Sequence, residues 1–238
     1  RVTPVETMSL LYATRAREPG VVACIGLKNQ LPAAALPAGR TGEFLNLINP
    51  VFPQFIAAEN VWTTSINNLN PIVHPPMVLF NAGRIEATGG KGWNLYADGA
   101  TESVCKVMLG MDAERMSLLK KISGEGIAFK NAFENLYAQY CLEKKSLSET
   151  LRQSPIHGDS AMLAPASVNT RYLNEDLPFG LAPWSSIGRM WDLPTPKVDA
   201  VIQIASTMTE VDYFTAGLTV DDLGIKGMSP EDVKVLIG

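Results

Sequence analysis

The sequence predicts a mainly α-helical protein with a small α/β part at its N-terminal end. Two observations carry that prediction. Up to about residue 66 the apolar residues fall in short runs cut by polar residues and prolines, the pattern of strands; from Pro71 onward they recur every three to four residues, the pattern of amphipathic helices. The chain has 238 residues, 46% hydrophobic and 18% charged, which is the composition of a globular protein with core enough for one large domain or two smaller ones.

In order along the chain, Val21-Val22-Ala23-Cys24-Ile25 and Ala33-Ala34-Ala35-Leu36 are two short strands joined by the polar turn Lys28-Asn29-Gln30, and Pro37 ends the second. Thr41-Gly42-Glu43 opens a brief helix with Phe44, Leu45 and Ile48 on one side, which Pro50 stops. Asn60-Val61-Trp62-Thr63-Thr64 reads as one more strand. A few strands and one helix are too little for a self-sufficient α/β domain. Beyond Pro71, one helix carries Val78, Leu79, Ala82 and Ile85; a second carries Val104, Val107, Met108, Met111, Leu118, Leu119 and Ile122; a third carries Phe129, Ala132, Phe133, Leu136, Tyr137 and Tyr140. Ser146-x-x-Glu149 is a capping box, and Ser229-Pro230-Glu231-Asp232 combines a cap, a first-turn proline and acids. Between them Thr195-Pro196 opens a long helix, with Val198, Val201, Ile202, Ala205 and Met208 inward, which Gly217 closes. Residues 1–66 and 67–238 are therefore two parts, joined without a Pro/Gly-rich linker.

Several function classes fall away. A net charge of −4, with basic residues clustered no further than Lys120-Lys121 and Lys144-Lys145, gives no face for nucleic acid. No apolar run reaches the roughly 18 to 20 residues of a membrane span, and Arg1-Val2-Thr3-Pro4 shows no signal-peptide pattern. Cys24, Cys105 and Cys141 are odd in number and lack C-x-x-C spacing, as expected of reduced thiols in a cytoplasmic protein. With two histidines and no Cys/His cluster, no metal site is expected. Gly89-Gly90-Lys91-Gly92 fails as a P-loop, because Ile85 stands at the first glycine position and Gly92 where a hydroxyl is needed. Gly124-Glu125-Gly126 fails as a dinucleotide loop, because Phe129 stands at the third glycine and no strand precedes it. A histidine acting as acid or base is His74 or His157. His74 lies in Asn70-Pro71-Ile72-Val73-His74-Pro75-Pro76 at a helix start, where prolines hold the backbone; His157 lies in ordinary turn composition.

The stretches Asn68-Leu69-Asn70-Pro71-Ile72-Val73-His74-Pro75-Pro76, Leu79-Phe80-Asn81-Ala82-Gly83-Arg84-Ile85-Glu86 and Arg171-Tyr172-Leu173-Asn174-Glu175-Asp176-Leu177-Pro178-Phe179-Gly180-Leu181 resemble the octopine/nopaline (opine) dehydrogenase family. The resemblance is collinear over nearly the whole chain, with weaker support from Glu6-Thr7, Leu11-Tyr12-Ala13, Leu193-Pro194-Thr195-Pro196 and Asp212-Tyr213-Phe214. It implies an oxidoreductase that joins an amino acid's amino group to an α-keto acid such as pyruvate, and reduces the imine with NADH or NADPH. It also implies a Rossmann-type domain followed by a helical substrate and dimerisation domain. The chain resembles the second plus the last strands of the first, as its start without an initiator Met also suggests. The G-x-G-x-x-G loop and ribose selector, about a domain's worth of 100 to 150 residues, would then lie upstream and bind most of the cofactor.

By the same resemblance His74 and Asp176 are the catalytic pair, and Arg171, Asn70 and Thr7 bind substrate. A carboxylate on one ring nitrogen fixes the tautomer and favours the protonated ring, which can donate to a keto oxygen and help expel it as water. Arg171 offers a planar fork to a substrate carboxylate. Asn70 offers an amide one turn before His74, if that segment is helical, to nicotinamide or substrate. The plain alternatives are a helix cap for Asn70, a structural ion pair for Arg171 and Asp176, and a surface charge for Glu175. Two other functions remain open: a ketopantoate-reductase-like or hydroxy-acid dehydrogenase, and a non-catalytic helical module for binding or dimerisation. Trp184, Ile187 and Trp191 suit either a homodimer interface or the core.

Overall fold

A computed structural model of the chain describes residues 2–124, 146–158 and 162–238. It is mainly α with a small α/β part, and divides into two compact units. The first takes the described residues up to Asn68, those from 119 to 124, and Met228–Gly238; the second takes Leu69–Leu118 and the described residues from 146 to 227.

The first unit holds a three-stranded sheet of order β1 (Val5–Thr7), β4 (Leu31–Ala35) and β5 (Phe55–Ala57). β4 lies antiparallel to β1, pairing Ala33 with Thr7, and parallel to β5, pairing Ala33 with Ala57. Helix α1 (Thr41–Ile48) connects β4 to β5. Ala33, Ala34 and Ala35 have no exposed surface, so the central strand is built from residues small enough to let neighbours close on both faces. Strands β2 (Tyr12–Glu18) and β3 (Val21–Leu27) form a separate hairpin with two register shifts, turning at Gly20, whose φ of 82° suits glycine. The predicted strands at residues 21–25 and 33–36 are thus present, but in different sheets.

The predicted strand at Asn60–Thr64 is instead a helix, α2 (Val61–Ile66), packed on β1 and β4. Its β-branched residues favour a strand, yet Asn60 is an N-cap whose side chain accepts from Thr63 N at 3.0 Å. Thr64 and Ser65 then donate to the Glu6 carboxylate on β1, Ser65 at 2.7 Å. Trp62 Nε1 donates to Leu119 O at 3.3 Å. Cap and tertiary contacts outweigh intrinsic preference.

The second unit is helical. Residues Pro71 to Glu86 form two helices where one is expected: α3 (Asn70–Leu79) and α4 (Ala82–Thr88). The break is at Asn81, whose side-chain amide donates to Met77 O at 2.8 Å, a carbonyl that a continued helix would have used, and to Gly99 O at 3.3 Å. Then come α5 (Leu95–Gly99), α6 (Glu102–Leu119), which ends before the expected Ile122, α7 (Leu147–Gln153) with the expected capping box, and α8 (Arg171–Asn174). A π-helical turn, Leu177–Leu181, runs into α9 (Ala182–Met190). The long helix expected from Thr195 to Gly217 is also two, α10 (Pro196–Thr209) and α11 (Tyr213–Ala216), because Glu210 adopts the left-handed conformation at φ 57° and Asp212 caps a new start. The last helix, α12 (Pro230–Ile237), starts at Ser229 as predicted and belongs to the first unit. The expected helix over Phe129–Tyr140 lies outside the described residues.

Ile72, Met77, Val78, Ile85, Met108, Met111, Leu173, Leu177, Leu181, Val198 and Ile202 are buried in this unit, and Trp184 and Ile187 join its core, with Trp191 half-buried. Two polar devices tie the helices. Glu114 on α6 accepts from Lys197 N and Val198 N, both at 3.0 Å, and from Lys197 Nζ at 3.1 Å, placing a carboxylate on the positive end of α10. Arg115, wholly buried, pairs with Asp112 at 2.7 Å. Among the described residues no helix is long and apolar enough to cross a membrane.

Candidate active site

The site in the second unit forms where α3 meets the segment from α8 into the π-helical turn. α3 reads Asn-Pro-Ile-Val-His-Pro-Pro-Met-Val-Leu, with a proline in its first turn and two inside. The first suits a position whose N–H is unsatisfied anyway; Pro75 and Pro76 remove two i→i−4 donors and are held by burial. Every residue of α3 from Pro71 to Leu79 is buried except His74, so the one polar side chain in that stretch reaches the helix surface.

Opposite it, the helical conformation of α8 continues through Glu175 and Asp176, where the ladder widens: Leu181 N donates to Asp176 O at 2.9 Å, five residues back. Such widened turns recur at functional sites. Gly180 lets this turn approach α3, since a Cβ there would stand 2.3 Å from Pro71 Cγ. The segment is braced from behind, with Tyr213 Oη donating to Asn174 Oδ1 at 3.0 Å and Leu218 N to Pro178 O at 2.8 Å.

His74 and Asp176, 102 residues apart, are brought together: Nδ1 lies 2.6 Å from Oδ2, with side chains 15% and 12% exposed. A carboxylate so placed accepts the hydrogen bond of Nδ1–H and leaves Nε2 as the nitrogen that exchanges protons with a substrate. Arg171 is exposed at the start of α8, its guanidinium carbon 5.5 Å from the Tyr172 ring centre. Asn70 opens α3 one turn before His74, as the four-residue spacing anticipated. Glu175 is exposed, matching the surface-charge reading. Among the described residues Arg171 and Asp176 form no ion pair with each other; Asp176 is paired with His74.

Thr7 belongs to the first unit, at the end of β1, and donates to Ser9 O at 2.8 Å. The following loop is pinned by Met8 N to Pro32 O at 2.9 Å, and by the Lys28 ammonium, which donates to Leu10 O and to Ser9 Oγ. Lys28, expected in a polar turn, is 4% exposed, and burial pulls its pKa down to about 8. His157 sits in a turn, edge-on to Tyr96 at 4.7 Å between ring centres.

Sequence reasoning did not single out Tyr172. Its ring lies 4.3 Å from that of His74, centre to centre, at an angle of 36°. The signal was available: Tyr172 precedes Asp176 by four residues, one helical turn, so a histidine held by one meets the other. A surface concavity of about 430 Å³ bordered by Arg189, Asp192, Thr195 and Asp199 shares no residue with this group. Among the described residues no His/Cys/Asp/Glu cluster suits a metal ion.

The family model of the α-helical domain of NAD/NADP octopine/nopaline dehydrogenases matches residues 57–209. The chain is 34% identical, over 98% of its length, to an opine dehydrogenase from Arthrobacter sp. strain 1C, and 24% identical over 69% of its length to a vitopine synthase from Allorhizobium ampelinum. It spans 63% of the first relative and 44% of the second. Among solved structures, octopine dehydrogenase with NADH and agmatine aligns at a TM-score of 0.75 and 16% identity, over 97% of this chain and 64% of that one. Yersinopine dehydrogenase without ligand aligns at 0.61 and 13%, over all of this chain and 62% of that one. These likenesses establish the fold, a helical domain that follows a Rossmann-type region.

Proposed function

The chain belongs to the octopine/nopaline dehydrogenase family, and from that premise we propose that it carries the substrate domain of an opine-type, NAD(P)H-dependent oxidoreductase. The reaction is the reductive condensation of a pyruvate-like α-keto acid with the amino group of an amino acid through an imine. The supporting observation is the 2.6 Å contact between His74 Nδ1 and Asp176 Oδ2. Octopine dehydrogenases solved with NADH and L-arginine, and with NADH and pyruvate, support the substrate classes. On this reading residues 1–66 are the end of a dinucleotide-binding domain, residues 67–238 are the substrate domain, and a homodimer is the assembly to test.

Asp176 accepts the hydrogen bond of Nδ1–H, so Nε2 of protonated His74 donates to the keto oxygen as the amine adds, takes a proton from the nitrogen that has added, and returns it to the hydroxyl, which leaves as water to give the protonated imine. Arg171 clamps the keto acid's carboxylate through its fork, and Asn70 orients substrate. A dinucleotide's pyrophosphate needs a glycine-rich turn after a strand. Gly89-Gly90-Lys91-Gly92 follows α4 instead, and a Cβ at Gly90 would stand 2.4 Å from the Pro165 carbonyl oxygen, so backbone fills that turn. That turn therefore does not hold the cofactor's phosphates; NADH or NADPH, when bound, supplies the hydride.

Followed by NAD(P)H oxidation, the protein is expected to turn over only with keto acid and amino acid both present, and His74→Ala to slow it by roughly 10² or more. Full oxidation with keto acid alone would point to a hydroxy-acid dehydrogenase. An unchanged rate in the variant would remove His74 from the site.

A further inference from the structure

We propose that Tyr172 is a positioning residue for His74, holding the imidazole plane by face contact while Asp176 holds its edge. The need for it follows from geometry. One hydrogen bond at Nδ1 fixes a point and not a plane, and the torsion that turns a histidine ring about its Cβ–Cγ bond is broad, with no sharp staggered well of its own. A ring held only by Asp176 would rock about that bond, carrying Nε2 through an arc and admitting water to the Nδ1 contact. The Tyr172 ring, 4.3 Å from that of His74 and tilted by 36°, removes this rotation from one face.

Tyr172 is suited to the task because it is itself fixed. It is 8% exposed and sits in the second position of α8, on the segment that also carries Asp176. The four-residue spacing puts both on one side of that segment, so one rigid piece of backbone supplies the edge contact and the face contact. The same ring carries the Arg171 guanidinium at 5.5 Å. The negative face of an aromatic ring attracts cations, which suits a neighbour that alternates between neutral and protonated forms and a guanidinium beside it. One side chain thereby sets both the proton carrier and the carboxylate clamp of the proposed reaction, and its relevance to turnover rests on that reading.

The chain has two histidines, so its imidazole nitrogens are resolved directly by long-range ¹H–¹⁵N correlation on the uniformly labelled protein. At a pH where the rings are neutral, His74 is expected as a single tautomer with the proton on Nδ1, unchanged in Tyr172→Phe. In Tyr172→Leu the two ¹⁵N shifts of His74 are expected to converge toward their average while those of His157, in its separate contact with Tyr96, stay in place. A folded Tyr172→Leu protein with wild-type His74 shifts overturns the proposal. Should that variant not fold, the wild type decides: stacking requires His74 carbon-bound ring protons displaced upfield by the tyrosine ring current and preserved in Tyr172→Phe, and undisplaced protons overturn it. These readouts do not depend on turnover. An ordered His74 ring in a protein that reduces no imine would sink the proposed function and leave the positioning role standing.

Discussion

At the scale of single residues, the site contrasts with two other ionisable groups. His74 and Asp176 are part-buried and paired, the state in which a proton can be held and still exchanged. Cys105 is the opposite case: burial, helped by the Glu102 carboxylate, pushes its thiol up to about 12, so it stays protonated and acts as a core residue. Lys28 carries a testable cost. Its folded pKa of about 8 lies below the unfolded 10.5, so below pH 8 both states are charged and the burial cost is fully present. Between pH 8 and 10.5 the unfolded chain binds the extra proton, and stability rises with pH, by roughly 1 kcal/mol per unit. Urea unfolding of the wild type against Lys28→Met at pH 7.5 and 9.5 is expected to show the wild type gaining on the variant; a difference that stays flat would show the ammonium is not held as described.

At the scale of elements, the π-helical turn decides the site. It aims Asp176 at α3, and its close approach depends on Gly180 against Pro71. Gly180→Ala would place a methyl 2.3 Å from a ring that cannot swing aside, so the turn must move off. Overpacking of this kind costs about 1–3 kcal/mol, and here it also stretches the His74–Asp176 contact. The variant is expected to fold with a lowered melting temperature and to lose the single-tautomer signature of His74. Full retention of that signature would show that the turn is not what holds the pair. Glu114 plays a comparable part for α10, where a carboxylate from α6 satisfies two first-turn N–H groups that Thr195, the N-cap, does not.

At the scale of the whole molecule, the two units are not contiguous in sequence. α12 belongs to the first, burying Val233 and Ile237, although the chain has run through the second before reaching it. Deleting residues 229–238 removes both side chains from the core of the first unit, each worth about 1.5–3 kcal/mol of burial, and is expected to lower the melting temperature by several degrees. An unchanged melting curve would mean that α12 does not help hold its unit. What the sequence determined by itself is what acts over a few residues: the 3.6-residue stripe of α6 and that of α10 as far as Ala205, Met208 being exposed where it was expected inward, the capping boxes at Ser146 and Ser229, and the motifs around His74 and Arg171. What only the tertiary structure decided is what acts across the chain. Asn60–Thr64 became a helix because Glu6 receives Thr64 and Ser65. The helices expected as single pieces broke where the Asn81 amide reached Gly99 and where Glu210 took a left-handed turn. His74 met Asp176 and Tyr172 because α3 and the α8 segment pack on each other through a glycine. Periodicity and caps are written in neighbouring residues; the closure of a pair 102 residues apart depends on packing, which no local pattern encodes.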